Sequence, residues 1–249
     1  MQTCASNENE LAPSTRDFYR RTLEKLLRTH LPFLVGGAYA LGCYTGITRD
    51  TKDFDVFVHP REVGAILQAL AAAGFKTELT DPIWLGKAFH EDDLVDIIFS
   101  SGNGIATVDD EWFTFSTAGR LMGKTIKLIP IEEMIWSKGF VMTRDRYDGA
   151  DIAHLLRAHA ENLDWRRLLR RFGPDWRVLF NHLVLFGYIY PSEQARIPAW
   201  VMQELTHRLE HEINQPSPAP RVCRGTLLSS TQYTLDVGKW SYLNPQRKT

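Results

Sequence analysis

The sequence predicts an α/β fold, α+β in arrangement: a sheet flanked by helices in the first half, followed by an all-helical C-terminal domain. Three observations predict it. Short apolar runs bounded by glycine, proline or acidic residues recur up to residue 130, among them LPFLV, FDVFV and LVDIIF. From Ile131 onward the apolar residues recur at helical spacing, in IEEMIWSKGFVM, GADIAHLLRAH, DWRRLLRRF, WRVLFNHLVLFGY and PAWVMQELTHRLEHE. The 249 residues are 44% hydrophobic and 24% charged, which excludes a disordered or fibrous chain and supplies one large core or two modest ones.

Residues 1–13 are polar and read as a flexible N-terminus. Ser14, with Asp17 three residues later, is a shortened capping box and predicts a helix to about Thr29. LPFLV is a buried strand ending at Gly36-Gly37, and AYALGCY opens a helix directly after it. FDVFV is a second strand. Pro60 then opens a helix whose Val63, Ile66, Leu67 and Leu70 fall at i, i+3, i+4 and i+7. LVDIIF is a third strand, EWFTFS and TIKLIP form a late hairpin, and no strand is expected beyond it. The domain boundaries follow as an α/β domain over 14–130, a helical domain over 131–213, and a C-terminal extension over 214–249 that starts at the linker-like QPSPAP. Within the helical part, Trp176, Phe180, Leu183 and Val184 make an expected core stripe, and the extension's RGTLLSSTQYTLDVGKW is strand-prone.

The chain carries 29 basic and 30 acidic side chains, a net charge of −1, so no whole-chain basic field points to nucleic acid. A division at residue 130 gives −4 before it and +3 after it. The apolar stretch from Val178 to Tyr190 is broken by Asn181 and His182 and is shorter than the roughly 20 residues of a membrane span. The N-terminus has neither the basic start nor the apolar middle of a secretory signal. Cys4, Cys43 and Cys223 are scattered, so neither a disulfide framework nor a zinc knuckle is expected, and the expected location is cytoplasmic.

The chemistry-bearing segment is LVGGAYALGCYTGITRDTKDFDVFV, with LVDIIFS about forty residues later. Strand side chains alternate, so Asp53 and Asp55 project from one face, about 6.6 Å apart along the strand. At an effective dielectric of about 20, their repulsion is on the order of 2.5 kcal/mol, which calls for a cation between them. A hard divalent cation with oxygen ligands answers that need. Asp96 lies in an otherwise apolar strand, where an unpaired carboxylate is costly, so it also requires a partner. Gly36-Gly37, closing a strand and opening a helix, offers backbone N–H groups to phosphate oxygens with no side chain in the way.

These residues resemble the nucleotidyltransferase superfamily of polymerase-beta-like fold, in particular its small bacterial antibiotic-modifying and toxin-type members. The resemblance lies in Val35-Gly36-Gly37, in Arg49-x-Thr51-x-Asp53-x-Asp55 and in Asp96, and it spans roughly residues 31–160, with EEMIWSK and RDRYDGADI as its helical part. Gly37 departs from the serine often found there, which removes a hydroxyl from the phosphate site. The resemblance implies a mixed sheet flanked by helices and a Mg2+-dependent transfer of NMP from an NTP to a hydroxyl of a small molecule, an RNA end or a protein side chain. It implies that Gly36 and Gly37 hold the triphosphate, that Asp53, Asp55 and Asp96 bind two Mg2+ ions, and that Asp96 helps deprotonate the acceptor. Arg49, Thr51 and Lys138 are further candidate nucleotide contacts. The alternative is a non-catalytic nucleotide-binding or regulatory module of the same fold.

Other motifs read as structure. AGRLMGKT, residues 118–125, matches a relaxed P-loop, but IKLIP follows it as a strand rather than a helix, so it is expected to form a hairpin turn. His207 and His211 share a helical face without the order of a zinc hydrolase. Asp148 and Asp151 are expected to cap a helix or pair with Arg144 and Arg146. Arg166, Arg167, Arg170, Arg171 and Arg177 form a basic cluster, read as a solvated face or as a seat for an anionic acceptor such as RNA.

Overall fold

A computed structural model of the chain describes residues 2–3, 12–48, 51, 53–91, 93–215 and 220–245. The chain divides into two compact units, residues 1–134 and 135–249.

The first unit is built on one mixed sheet of eight strands: β1 (Gln2–Thr3), β2 (Phe33–Val35), β3 (Asp53–Val58), β4 (Lys76–Asp81), β5 (Leu85–His90), β6 (Asp93–Ile98), β7 (Thr117–Leu121) and β8 (Lys124–Leu128). Their order is β1-β7-β8-β2-β3-β6-β5-β4. At its centre β2 runs antiparallel to β3, and β3 parallel to β6. Phe54 and Val56 of β3, and Val95 and Ile97 of β6, pair in register and are fully buried. Helix α1 (Pro13–Thr29) supplies Phe18, Tyr19, Leu23 and Leu26 to this core, with Tyr19 stacked on Phe54 at 5.1 Å. Helix α3 (Val63–Ala72) adds Ile66 and Leu70. Each such side chain contributes about 1.5–3 kcal/mol when fully buried.

Several expectations are corrected. Helix α1 starts with Pro13 at its first turn and has no side-chain cap, so Ser14 does not perform that role and Asp17 pairs with Arg20 instead. Three strands, β1, β4 and β5, lie outside the sequence expectation: β1, in the N-terminal segment read as flexible, pairs in parallel with β7. β4 is a mostly exposed edge strand whose polar KTELTD lacks an apolar face, and β5 carries Gly86, where a side chain would press on Leu67 of α3 at 3.2 Å. EWFTFS is not a strand. Asp109 caps helix α4 (Asp110–Thr114) by accepting from the Glu111 N–H at 3.0 Å, and Asp110 and Glu111 suit the positive helix start. The hairpin therefore joins TAGRL to KTIKL through Met122 and Gly123, both at positive φ, as a tight two-residue turn requires. Lys124 and Thr125 lie on β8, and no helix follows the P-loop-like stretch directly.

In the second unit, helix α5 (Ile131–Gly139), within which the division falls, is followed by α6 (Gly149–His159), α7 (Trp165–Phe172), α8 (Trp176–Ile189), α9 (Ala199–Asn214) and the short α10 (Thr234–Gly238). Ile152, Leu155, Leu168, Phe172, Leu179, Leu183, Phe186, Val201 and Leu205 form the core. The α8 stripe is corrected: Trp176, Leu179, Leu183 and Phe186 are buried, whereas Val184 is 53% exposed. The tail is not strand-like over RGTLLSSTQYTLDVGKW; it forms helical turns that bury Thr226 and Leu227, and Arg224 pairs with Asp175 at 3.0 Å. Among the described residues, no helix is long and apolar enough to cross a membrane.

Candidate active site

The candidate site forms where β2 ends and helix α2 (Gly37–Thr45) begins, against the start of β3. Gly36 N–H donates to the Asp55 carbonyl at 3.0 Å, which ties the diglycine turn to the acidic strand. Gly37 has φ +55°, and a Cβ there would lie 2.6 Å from Cγ of Asp55. A Cβ on Gly36 would lie 2.7 Å from Cδ2 of Phe57. Both glycines are therefore fixed by close approach: one admits the Phe57 ring, the other the Asp55 carboxylate. Gly37 also opens α2, so this close approach sets the Asp55 carboxylate beside the positive dipole end of a helix.

Register brings the other acid alongside. Asp55 and Asp96 are direct partners between β3 and β6, so they stand on the same face with backbones about 4.8 Å apart. Asp53 pairs with Leu94 one pleat further along and is exposed. On this face the next position beyond Asp55 is Phe57, which buried Trp112 of α4 covers at 5.4 Å. The acids thus lie where the apolar cover stops.

The partner that Asp96 requires is a lysine. Lys87 on β5 is its direct register partner, and its Nζ donates to Asp96 Oδ1 at 2.8 Å, with the two side chains 21% and 14% exposed. Glu78 on β4 is the register partner of Lys87, which completes a row of Glu78, Lys87, Asp96 and Asp55 across four strands, ending at Gly36. Lys87 was not singled out in the sequence because its strand was not recognised; the available signal was Asp96 itself, an acid in an apolar strand. Among the described residues, no group of three or more His, Cys, Asp or Glu side chains converges as a metal seat. Asp55 and Asp96 nevertheless offer adjacent hard oxygen donors beside a glycine that leaves them room, which suits one divalent cation.

The remaining candidates are placed as follows. Arg49 lies outside the described residues. Thr51 braces the strand start, its hydroxyl donating to the Asp53 carbonyl at 3.0 Å and accepting from the Asp53 N–H at 3.2 Å. Lys138, in the second unit, sits between Asp148 at 2.9 Å and Asp151 at 2.8 Å. Burial alone would raise the Asp148 carboxyl, but the Arg146 fork and the Lys138 ammonium outweigh it and hold the group below its ordinary 3.8. His207 and His211 are exposed on α9. Cys223 is a free thiol, whereas Cys43 is disulfide-bonded, contrary to the expectation from spacing.

The arginine cluster is divided among different tasks. Arg167 is buried, Arg171 lies over the Trp136 ring at 5.1 Å, and Arg177 stacks on Trp176 at 4.9 Å and pairs with Glu212 at 2.6 Å. Arg166 and Arg170 remain exposed, one helical turn apart.

No protein-family model matches the chain. No curated protein matches it in sequence. Solved structures similar to it include the lincosamide antibiotic adenylyltransferase LnuA in its lincomycin-bound form, at 18% identity over 58% of this chain and 98% of that one, with a TM-score of 0.43. The antibiotic-resistance factor ANT(2'')-Ia is similar at 16% identity over 78% of this chain and 96% of that one, with a TM-score of 0.44. JHP933 from Helicobacter pylori is similar at 14% identity over 81% and 95%, with a TM-score of 0.40.

Proposed function

We propose that this chain is a Mg2+-dependent nucleotidyltransferase that moves an NMP from an NTP to an acceptor hydroxyl and releases pyrophosphate. The observation that carries the reading is the close approach of Gly37 to Asp55, with Asp96 in register beside it. In this reading the backbone N–H groups of Gly36 and Gly37 and the start of α2 take the triphosphate oxygens. Asp55 and Asp96, with Asp53 next along the strand, hold the metal, which when bound neutralises charge on the attacking and leaving oxygens. Asp96 accepts the proton of the acceptor hydroxyl, whose oxygen bonds to the α-phosphorus as the bond to pyrophosphate breaks. Lys87 fixes the orientation of that carboxylate through its 2.8 Å bond. The first unit carries 13 basic against 19 acidic side chains, a net of −6, which favours a small cationic acceptor at this site.

One observation favours a second reading. The Lys87 ammonium already neutralises Asp96, and no acidic trio converges among the described residues, as suits a fold that binds nucleotide without turnover. Incubation with α-32P-labelled NTPs, Mg2+ and panels of small-molecule, RNA and protein acceptors separates the two. The transferase reading expects label on one acceptor class and its loss in Asp55→Asn. Nucleotide binding with no transfer to any class establishes the module instead.

A further inference from the structure

The second unit contains a cavity of about 760 Å3 between one face of α7 and one face of α9. Arg166 and Arg170 line it from α7, one turn or about 6 Å apart along the axis. Trp200, Glu204 and Arg208 line it from α9 at i, i+4 and i+8, so a single stripe of that helix faces the space. Arg166 lies over the Trp200 ring at 5.7 Å, and Arg208 Nε bonds Glu204 Oε1 at 2.8 Å.

Like charges at i and i+4 on a helix oppose its formation, and an indole 42% exposed among cations gains little from burial. The cavity has three guanidiniums against one carboxylate, in a unit that carries 16 basic and 11 acidic side chains, a net of +5. Guanidinium forks match phosphate oxygens two at a time, and an accessible indole flanked by cations is a stacking surface for a base. The volume falls within the range of small-molecule sites and exceeds what a lone inorganic anion fills.

We propose that this cavity binds a nucleotide unit, with its phosphate on Arg170 and Arg208 and its base against Trp200 and Arg166. The source is either a free nucleotide or a residue of single-stranded nucleic acid. The site is built from α7, the Gly173 that follows it, and α9, so it stands or falls independently of the transferase reading.

The test measures the full chain in EDTA, which suppresses metal-dependent nucleotide binding at the sheet. A fluorescein-labelled ten-residue oligoadenylate is followed by anisotropy, and AMP by calorimetry and by displacement of the oligomer. The expected result is binding that weakens at least tenfold in Arg170→Gln/Arg208→Gln and in Trp200→Ala, with unchanged circular dichroism, and is unaltered in the control Arg144→Gln. For the oligomer, each lost phosphate contact lowers the slope of log affinity against log salt by about 0.7. Arg170→Lys/Arg208→Lys keeps the charge and loses the forks, so it recovers only part of the affinity. Displacement by AMP identifies a free nucleotide, and binding of the oligomer alone identifies a strand; either supports the site. Binding of neither ligand, or equal losses in Arg144→Gln and the cavity variants, overturns it.

Discussion

Gly37 joins two requirements in one residue, a backbone at φ +55° and space for the Asp55 carboxylate. Gly37→Ala meets both obstacles, left-handed strain of about 1–2 kcal/mol and a collision with an acid that the adjoining strand cannot release. It is expected to lower the melting temperature by several degrees and to abolish the nucleotide transfer proposed above; a variant with wild-type melting and no loss in the label-transfer assay contradicts the placement of the turn. Lys87→Met leaves Asp96 without its ammonium in a partly buried setting, at a cost of about 1–3 kcal/mol, and Lys87→Arg is expected to restore most of it. Urea titration of the three proteins reads the difference directly. The sequence showed these residues unequally. The side-chain period of two sufficed to put Asp53 and Asp55 on one face, and an acid within LVDIIF signalled a buried partner. That the partner is Lys87 depended on the register between β5 and β6, which is set by pairings that local sequence does not encode.

Helices were legible where caps and spacing agreed, and strands where an apolar run was clean. The α7 segment, for instance, opens at Asp164, whose Oδ1 accepts from the Arg167 N–H at 3.0 Å, and its apolar residues recur at helical spacing. The polar edge strand β4 has no apolar alternation, and EWFTFS has strand-forming aromatics that Asp109 overrides by capping a helix turn. Tertiary burial decided that case: Trp112 is fully buried against Phe57, a contact made from the short helix α4. Asp109→Ala removes the cap and is expected to cost about 1 kcal/mol, with Asp109→Asn or Asp109→Ser recovering most of it. Asp164→Ala carries a similar cost at α7 and, by fraying the turn that bears Arg166, is expected to weaken nucleotide binding in the cavity. Chemical denaturation measures the stability and oligoadenylate anisotropy the binding; a stability loss from Asp109→Ala that Ser fails to recover assigns the aspartate another role.

At the scale of the whole chain, the buried His182 and Asp148 of the second unit and the buried Tyr19 and Tyr44 of the first favour opposite pH responses. In the second unit, burial holds the His182 imidazole below its ordinary 6.5, where its Nε2 lies 2.9 Å from the Gly139 carbonyl, and the Arg146 and Lys138 cations hold Asp148 low despite burial. A depressed native pKa means that the unfolded state binds the proton first, so both groups contribute stability at neutral pH that is lost on acidification. The loss begins below about pH 6.5 for His182 and continues below about pH 4 for Asp148. In the first unit, burial pushes the Tyr44 phenol up to about 12 and, with Tyr39 and the nearby Asp93, Asp53 and Asp55, raises Tyr19 as well. Here the unfolded state releases the proton first, so stability is intact below about pH 10 and falls as the pH rises beyond it. Glu24 and Glu212, held low by hydrogen bonds from Lys124 and Arg177, are a third and about half exposed and are screened by solvent, so they add little to these responses. Urea unfolding with 5-fluorotryptophan resolves the units, because Trp112 reports the first and Trp165 and Trp176 the second. Between pH 7 and 5 the urea midpoint read by Trp165 and Trp176 is expected to fall more than that read by Trp112, and between pH 7 and 10.5 the Trp112 midpoint is expected to fall more. His182→Gln, which keeps a neutral donor for Gly139, is expected to flatten the acid dependence between pH 6.5 and 5 in the second unit alone. Equal shifts of the two midpoints at both extremes would show that these buried groups do not govern how the units respond to pH.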